Sequence, residues 1–306
     1  MTSRISVIVC TFNRCNSLAE TLESLNAMEV PSNIDWDVLV VDNNSTDQTR
    51  ECVGAAAQKS RVNVRYLLER KQGLSHARNL GIASTDRDYI AFTDDDVLVA
   101  QSWLKTTVET LETYQADCVG GKIVPRWLES RPPWLADNLL NVLAMLDYGE
   151  ALFEFQCGKD HRILYGANFA FRRESLIRMG MFNVKLGKTG EFGGGEDKEM
   201  FEKLQLLGGK AIYNPNSVVF HKVFPDRLNK AYFRKWHYAA GRDRASVKKD
   251  SRFTIFGIES HLFRDFSRAA FALLRSVVRG RWDQLFSDEL KCILYLSVFK
   301  HKVLRQ

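Results

Sequence analysis

The sequence predicts a mixed α/β fold, a mostly parallel sheet flanked by helices, with a C-terminal helical extension. Three observations predict it. Short β-branched runs alternate with segments of helical period through the first half of the chain, the signature of strands joined by crossover helices. The residues that follow those runs are unusually polar, as expected where ligands bind beyond the carboxyl ends of parallel strands. From Lys222 onward the pattern becomes helical and basic, with 19 Lys/Arg against 8 Asp/Glu, although the 306-residue chain as a whole carries only +6.

Strands are expected at Ile5–Cys10, Val38–Val41, Val62–Leu67, Tyr89–Phe92 and Cys118–Val124, each a short run of β-forming residues. Between the first two, Ser17 and Glu20 have capping-box spacing, and Leu18, Leu22 and Leu25 form an apolar stripe at helical period. Further helices are expected after Asp47, Ser75 and Gln101. The middle is less regular: Pro125, Pro132 and Pro133 stand among Trp127 and Trp134, a loop-rich stretch where an acceptor could rest on aromatic rings or where the rings simply pack. Beyond it come a strand at Asn168–Arg172, a glycine-rich loop (Gly187, Gly190, Gly193, Gly194, Gly195), a helix over Asp197–Leu207, and strands at Ala211–Tyr213 and Ser217–Phe220. The expected division is a domain over 1–224, with halves at about 1–124 and 125–224, and a basic amphipathic helical extension over 225–306.

Composition narrows the function classes. With 45% hydrophobic and 26% charged residues the chain is neither disordered nor fibrous. Its six cysteines are scattered without C-x-x-C spacing, which argues against a zinc knuckle or disulfide framework and fits a reducing, cytoplasmic compartment. The apolar run Ile5–Cys10 is shorter than a secretory h-region and reads as a strand. No stretch is long and apolar enough to span a membrane, so any membrane contact is expected to be peripheral. No G-x-G-x-x-G follows the first strand, which disfavours a dinucleotide oxidoreductase. No module that binds nucleic acid is recognisable, and no such partner is expected.

The chemistry concentrates in Asp94-Asp95-Asp96. Three carboxylates after a buried strand repel one another unless neutralised, and a divalent cation, Mn²⁺ or Mg²⁺, removes the conflict while leaving positions for substrate phosphates. A solvated turn capping the next helix is the other reading of such a run.

Taken in order, Val7-Ile8-Val9-Cys10-Thr11-Phe12-Asn13-Arg14, Val41-Asp42-Asn43-Asn44-Ser45-Thr46-Asp47, Ala77-Arg78-Asn79-Leu80-Gly81-Ile82, Asp94-Asp95-Asp96 and Gly195-Glu196-Asp197 resemble the motifs of family 2 glycosyltransferases. The resemblance covers roughly residues 4 to 225. It implies the GT-A fold, a Rossmann-like mixed sheet, and an inverting, metal-dependent transfer of a sugar from a nucleotide-diphosphate donor, a UDP-sugar being favoured. It implies that Thr11, Phe12 and Asn13 line the nucleobase pocket, with Arg14 in the same donor-binding group, and that Asp42 and Asn43 read base and ribose. Asn43 departs from the commoner pair of aspartates and leaves the base open. Arg78 is implied to approach the nucleotide or its phosphates, the alternative being a surface helix arginine. Asp95 is implied to contact the ribose, Asp96 and Asp94 the metal, and His221 resembles a histidine that completes the metal site in some members. Asp197 is implied to be the base for the acceptor hydroxyl, with Glu196 orienting the acceptor. Gly166-Ala167-Asn168 also resembles a family segment near the acceptor or donor sugar, and Asn168 joins Trp127 and Trp134 as a candidate for binding the acceptor.

The acceptor is expected to be a growing glycan or a lipid-linked one, in polysaccharide biosynthesis. In the tail, Ile255, Ile258, Leu262, Phe263, Phe266, Ala270, Phe271, Leu274 and Val277 trace a helical face edged by Arg264, Arg268, Arg275, Arg279 and Arg281. Such a face suits an anionic membrane interface or packing on the catalytic domain. Two rival functions share the motifs: a sugar nucleotidyltransferase, and a non-catalytic nucleotide-sugar-binding subunit of a glycan-assembly complex.

Overall fold

The computed structural model describes residues 2–156, 162–187, 194–246, 254–255 and 258–304. They fall into two compact units: Met1–Arg126 with Ala144–Thr189 and Gly195–Lys222, and Trp127–Leu143 with Gly190–Gly194 and Val223–Gln306.

The first unit is built on a nine-stranded sheet. In chain order it contains β1 (Ser3–Thr11), α1 (Cys15–Asn26), β2 (Ile34–Asp42), α2 (Thr49–Lys59), β3 (Val64–Leu68), α3 (Leu74–Ala83), β4 (Tyr89–Asp94), β5 (Val97–Val99), α4 (Trp103–Thr113), β6 (Cys118–Trp127), β7 (Phe153–Glu154), β8 (Phe169–Arg172), α5 (Arg173–Arg178), α6 (Glu196–Leu206) and β9 (Ala211–Val223). Strand order is β3-β2-β1-β4-β8-β6-β9-β5, with β7 paired to β9. Neighbours from β3 to β4 run parallel, whereas β8 is antiparallel to β4 and β6, and β9 to β5 and β7. Ile5, Val7, Ile8 and Val9 of β1 are all fully buried, as a central strand covered on both faces requires.

Several boundaries differ from expectation for physical reasons. Helix α1 begins at Cys15, so Ser17 lies inside it and caps nothing. Its hydroxyl donates instead to the Asp95 carbonyl at 2.8 Å, and Glu20 pairs with Lys222 at 3.2 Å. Strand β6 continues through Pro125 to Trp127, and the two strands expected between 211 and 220 are one strand reaching Val223. Gly190 and Gly193 of the glycine-rich loop lie outside the described residues.

The second unit holds α7 (Lys230–Ser246), a two-strand hairpin of β10 (Thr254–Ile255) and β11 (Ile258–Glu259), α8 (Ser260–Val278) and α9 (Trp282–Val303). Ile255 and Ile258 therefore sit in a hairpin rather than on the expected helical face. Ala245, Ile258, Leu262 and Val298 form its buried centre, with Phe263 and Phe299 packed against them. Trp127–Leu143, expected within the acceptor half of the catalytic domain, belongs here. The Trp134 ring stands 5.2 Å from Phe233 and 5.2 Å from Phe286, edge to face. No described helix is long and apolar enough to cross a membrane.

Candidate active site

Parallel strands β1, β2 and β4 end side by side, Thr11 opposite Asp42 and Cys10 opposite Asp94, which sets the polar segments after them along one edge of the sheet. The antiparallel pairing of β5 with β9 then puts His221 opposite Val97, one residue beyond the acidic run. Asp94, Asp96 and His221 each offer a ligand atom, all within 4.8 Å of one another, and His221 Nε2 is 3.2 Å from Asp96 Oδ1. The buried Nδ1 of His221 has no hydrogen-bond partner among the described residues. Two carboxylates and an imidazole at these separations fit Mn²⁺ or Mg²⁺.

Asp95 and Asp96 are buried, and both are held from the side of β1 and α1. Thr11 Oγ1 donates to Asp95 at 2.8 Å, and Arg14 Nη1 reaches Asp96 at 2.6 Å and Asp95 at 3.3 Å. Ser17 and Thr21 both donate to the Asp95 carbonyl, and the Lys222 amide donates to that of Asp96. Burial, with Asp96 adding to it, pushes the Asp95 carboxyl up to about 6, and burial does the same to Asp94. Burial opposes the charge on Arg14, but Asp96 and Asp95 outweigh it and hold the guanidinium protonated.

A second carboxylate pair opens α6. Gly195, at φ +93°, turns the chain into the helix in a conformation that side chains disfavour, so Glu196 and Asp197 stand at its N-terminus. Arg78 of α3, only 3% exposed, donates to Asp197 Oδ1 at 2.6 Å and to Glu196 Oε1 at 3.3 Å. Its Nη2 lies 4.0 Å from Asp94. The backbone N–H of Gly166 donates to Asp197 Oδ2 at 2.8 Å. Glu196 Oε2 is buried without a partner among the described residues, and burial, reinforced by Asp197, raises its carboxyl to about 7.

On the nucleobase side, Phe12 presents a ring 45% exposed, while Asn13 Oδ1 accepts from the Thr46 amide at 2.7 Å. Asp42 accepts from the Ser45 amide and from Tyr66 Oη. Asn43 is spent on its own chain: Nδ2 donates to the carbonyls of Glu69 and Lys71, and Oδ1 accepts from the Gly73 amide. Asn168 is also an internal hub rather than an open contact. It is 2% exposed, donates to the carbonyls of Lys122 and Ser217, and accepts from Trp103 Nε1 at 2.8 Å. Trp127 and Trp134 fall in the second unit, with Trp134 engaged in its aromatic packing.

Sequence reasoning named the acidic run, His221, Arg78 and the Glu196-Asp197 pair, and the first unit brings these residues together. It did not anticipate Ser17, Thr21 and Lys222 as supports of the acidic turn, or Gly166 as a donor to Asp197. The one available signal was position, since Lys222 follows His221 and Gly166 opens a segment already marked.

Residues 6–180 match the family model described as glycosyl transferase family 2. The succinoglycan biosynthesis protein ExoM of Rhizobium meliloti is 30% identical over 242 residues, covering 79% of this chain and 74% of that protein. The glucosyl-dolichyl phosphate glucuronosyltransferase of Haloferax volcanii is 28% identical over 234 residues, 73% of this chain and 71% of that one. Among solved structures, the mannosyltransferase PcManGT of Pyrobaculum calidifontis, in complex with GDP-Man and Mn²⁺, superposes with a TM-score of 0.66 at 19% identity, covering 100% of this chain and 88% of that one. S. aureus TarS in complex with UDP gives 0.56 at 17% identity, covering 100% and 92%. At these identities the structural likeness shows the fold, a GT-A architecture, and no more.

Proposed function

The chain belongs to glycosyl transferase family 2, and from that membership we propose an inverting, metal-dependent glycosyltransferase that moves a sugar from a nucleotide-diphosphate donor to a hydroxyl of a growing glycan or lipid-linked acceptor. The observation that carries the proposal is the convergence of Asp94, Asp96 and His221 on one side of Arg78 with Asp197 and Glu196 on the other.

Asp197 takes the proton of the acceptor hydroxyl as its oxygen bonds to the anomeric carbon. The bond from that carbon to the phosphate oxygen breaks on the opposite face, and its electron pair leaves with the nucleoside diphosphate, so configuration inverts. Glu196 orients the acceptor through Oε2, the oxygen that has no partner among the described residues. Asp94, Asp96 and His221 would hold a divalent cation, Mn²⁺ or Mg²⁺, which when bound offsets charge developing on the diphosphate. Thr11, Phe12, Asn13 and Asp42 border the nucleoside, with the exposed Phe12 ring as its platform, and Asp95 and Arg14 face the ribose and phosphates. A UDP-sugar is the favoured donor, with GDP-sugars tested beside it because the structural neighbours hold both nucleotides.

The product belongs to polysaccharide biosynthesis, a reading supported by the name of the R. meliloti relative. The enzyme works in the cytoplasm, at an anionic membrane surface met by α8, whose outer residues Phe271, Leu274 and Val278 are 68%, 60% and 76% exposed.

The test is a panel of nucleotide-sugars with Mn²⁺. The wild-type protein should release nucleoside diphosphate from one of them. Asp197→Asn should lower that release by about a thousandfold or more while sparing nucleotide binding, and Asp96→Ala should remove the Mn²⁺ dependence of that binding. Turnover retained in Asp197→Asn overturns the base assignment, and binding indifferent to Mn²⁺ in both proteins overturns the metal site.

A further inference from the structure

Arg78 is walled in. Its guanidinium carbon lies 5.0 Å from the ring centre of Phe182, 5.7 Å from that of Phe169 and 5.9 Å from that of Phe92, and it touches carboxylates of both candidate sites. A buried cation needs such partners, because burial alone opposes its charge and Asp197 with Glu196 must outweigh that. Space for the group exists only because residue 166 has no side chain. A Cβ on Gly166 would stand 2.0 Å from Nη2 and 2.7 Å from Cζ of Arg78, and 3.0 Å from Asp197 Oδ1. Both oxygens of Asp197 are thus claimed, Oδ1 by Arg78 and Oδ2 by the Gly166 N–H.

We infer that Arg78 and Gly166 form a clamp that fixes the orientation of Asp197, so that Arg78 is a positioning residue for the base and not a ligand of the donor phosphates. The inference rests on Asp197 being the base. With one oxygen held on each side, the carboxylate cannot rotate about its bond to Cβ without breaking a charge-assisted hydrogen bond. One arm of the planar fork, Nη1, serves both Asp197 and Glu196 while the other, Nη2, lies toward Asp94, a pair of directions that the single ammonium of lysine does not reproduce. The same guanidinium lies 4.0 Å from Asp94, so the base and the proposed cation site are anchored to one rigid group.

The experiment compares Arg78→Lys, Arg78→Ala and Gly166→Ala with the wild type. It measures nucleoside diphosphate release from UDP-glucose and GDP-mannose with Mn²⁺, water standing in for the acceptor hydroxyl. Rates are expressed per nucleotide-binding site, counted by titration with UDP or GDP, so misfolded protein does not contribute. The clamp predicts turnover lowered by about a hundredfold, the scale of a misplaced catalytic group, with donor KM and nucleotide affinity within about twofold of wild type. Added guanidinium ion should restore part of the turnover of Arg78→Ala and none of that of Gly166→Ala. A large loss of nucleotide affinity in the Arg78 variants, or undiminished turnover in all three, overturns the clamp. Asp197→Asn separates the two failures: if it retains turnover, the base assignment falls, and if it alone loses turnover, only the clamp does.

Discussion

At Asn43 the difference between an amide and a carboxylate decides the local structure. Its Nδ2 donates to two carbonyls, Glu69 at 3.2 Å and Lys71 at 2.7 Å, and a carboxylate would face both with like partial charge. The residue therefore ties β2 to the 69–73 segment, and the edge that would read a base is not turned outward. Asn43→Asp should lower stability by about 2 kcal/mol, the scale of buried carbonyls left without donors, visible as a lower denaturant midpoint. It should also weaken nucleotide binding rather than change which base is preferred. A variant of wild-type stability with a new base preference would return Asn43 to the base pocket. Asn168 teaches the same lesson: an amide of the right type in the right motif is fully occupied by Trp103, Lys122 and Ser217, and only coordinates show that.

Among the elements, α8 divides its surface unevenly. Leu262 and Ala269 are buried and Phe263 and Phe266 meet Phe299 of α9, while Phe271, Leu274 and Val278 are left exposed on a helix that also carries Arg264, Arg268 and Arg275, with Arg279 just past its end. An apolar strip beside a row of arginines suits an anionic bilayer surface. The full chain should co-sediment with vesicles containing phosphatidylglycerol, bind weakly to pure phosphatidylcholine, and lose binding with Phe271→Ser and Leu274→Ser together. Equal retention by the double variant sinks the membrane reading. Elements with strong period or β-branched runs were legible from the sequence, the first β1-α1-β2 segment most clearly. The less legible ones depended on partners. Ser17 reads as a helix cap because local spacing says nothing of Asp95, 78 residues on, which claims its hydroxyl. At Trp134 the sequence leaves an acceptor platform and simple packing both open, because it does not show that Phe233 and Phe286 meet the ring edge to face.

For the whole molecule, the residues that would bind nucleotide and cation all belong to the first compact unit, and the second has its own buried centre. Ligand binding stabilises the structure that binds it by mass action. Calorimetry with UDP or GDP plus Mn²⁺ should therefore raise the transition of the first unit and leave that of the second where it is. A single transition that moves as one would show that the two unfold together. The order of motifs made the broad architecture legible, because each polar segment must follow its strand. The boundary of the second unit was not legible, since Trp127–Leu143 joins it by packing across a long sequence separation.

Asp96 is gripped on both oxygens, by Arg14 on one and His221 on the other. The arginine is a counter-ion of Asp96, and under the proposed function a divalent cation held there would share that carboxylate with it rather than meet a bare anion. Loading would be an exchange whose affinity is the difference between two attractions, and a diphosphate entering with the cation would offer the guanidinium another partner. Metal and donor would then bind best as a pair, each lowering the cost of admitting the other.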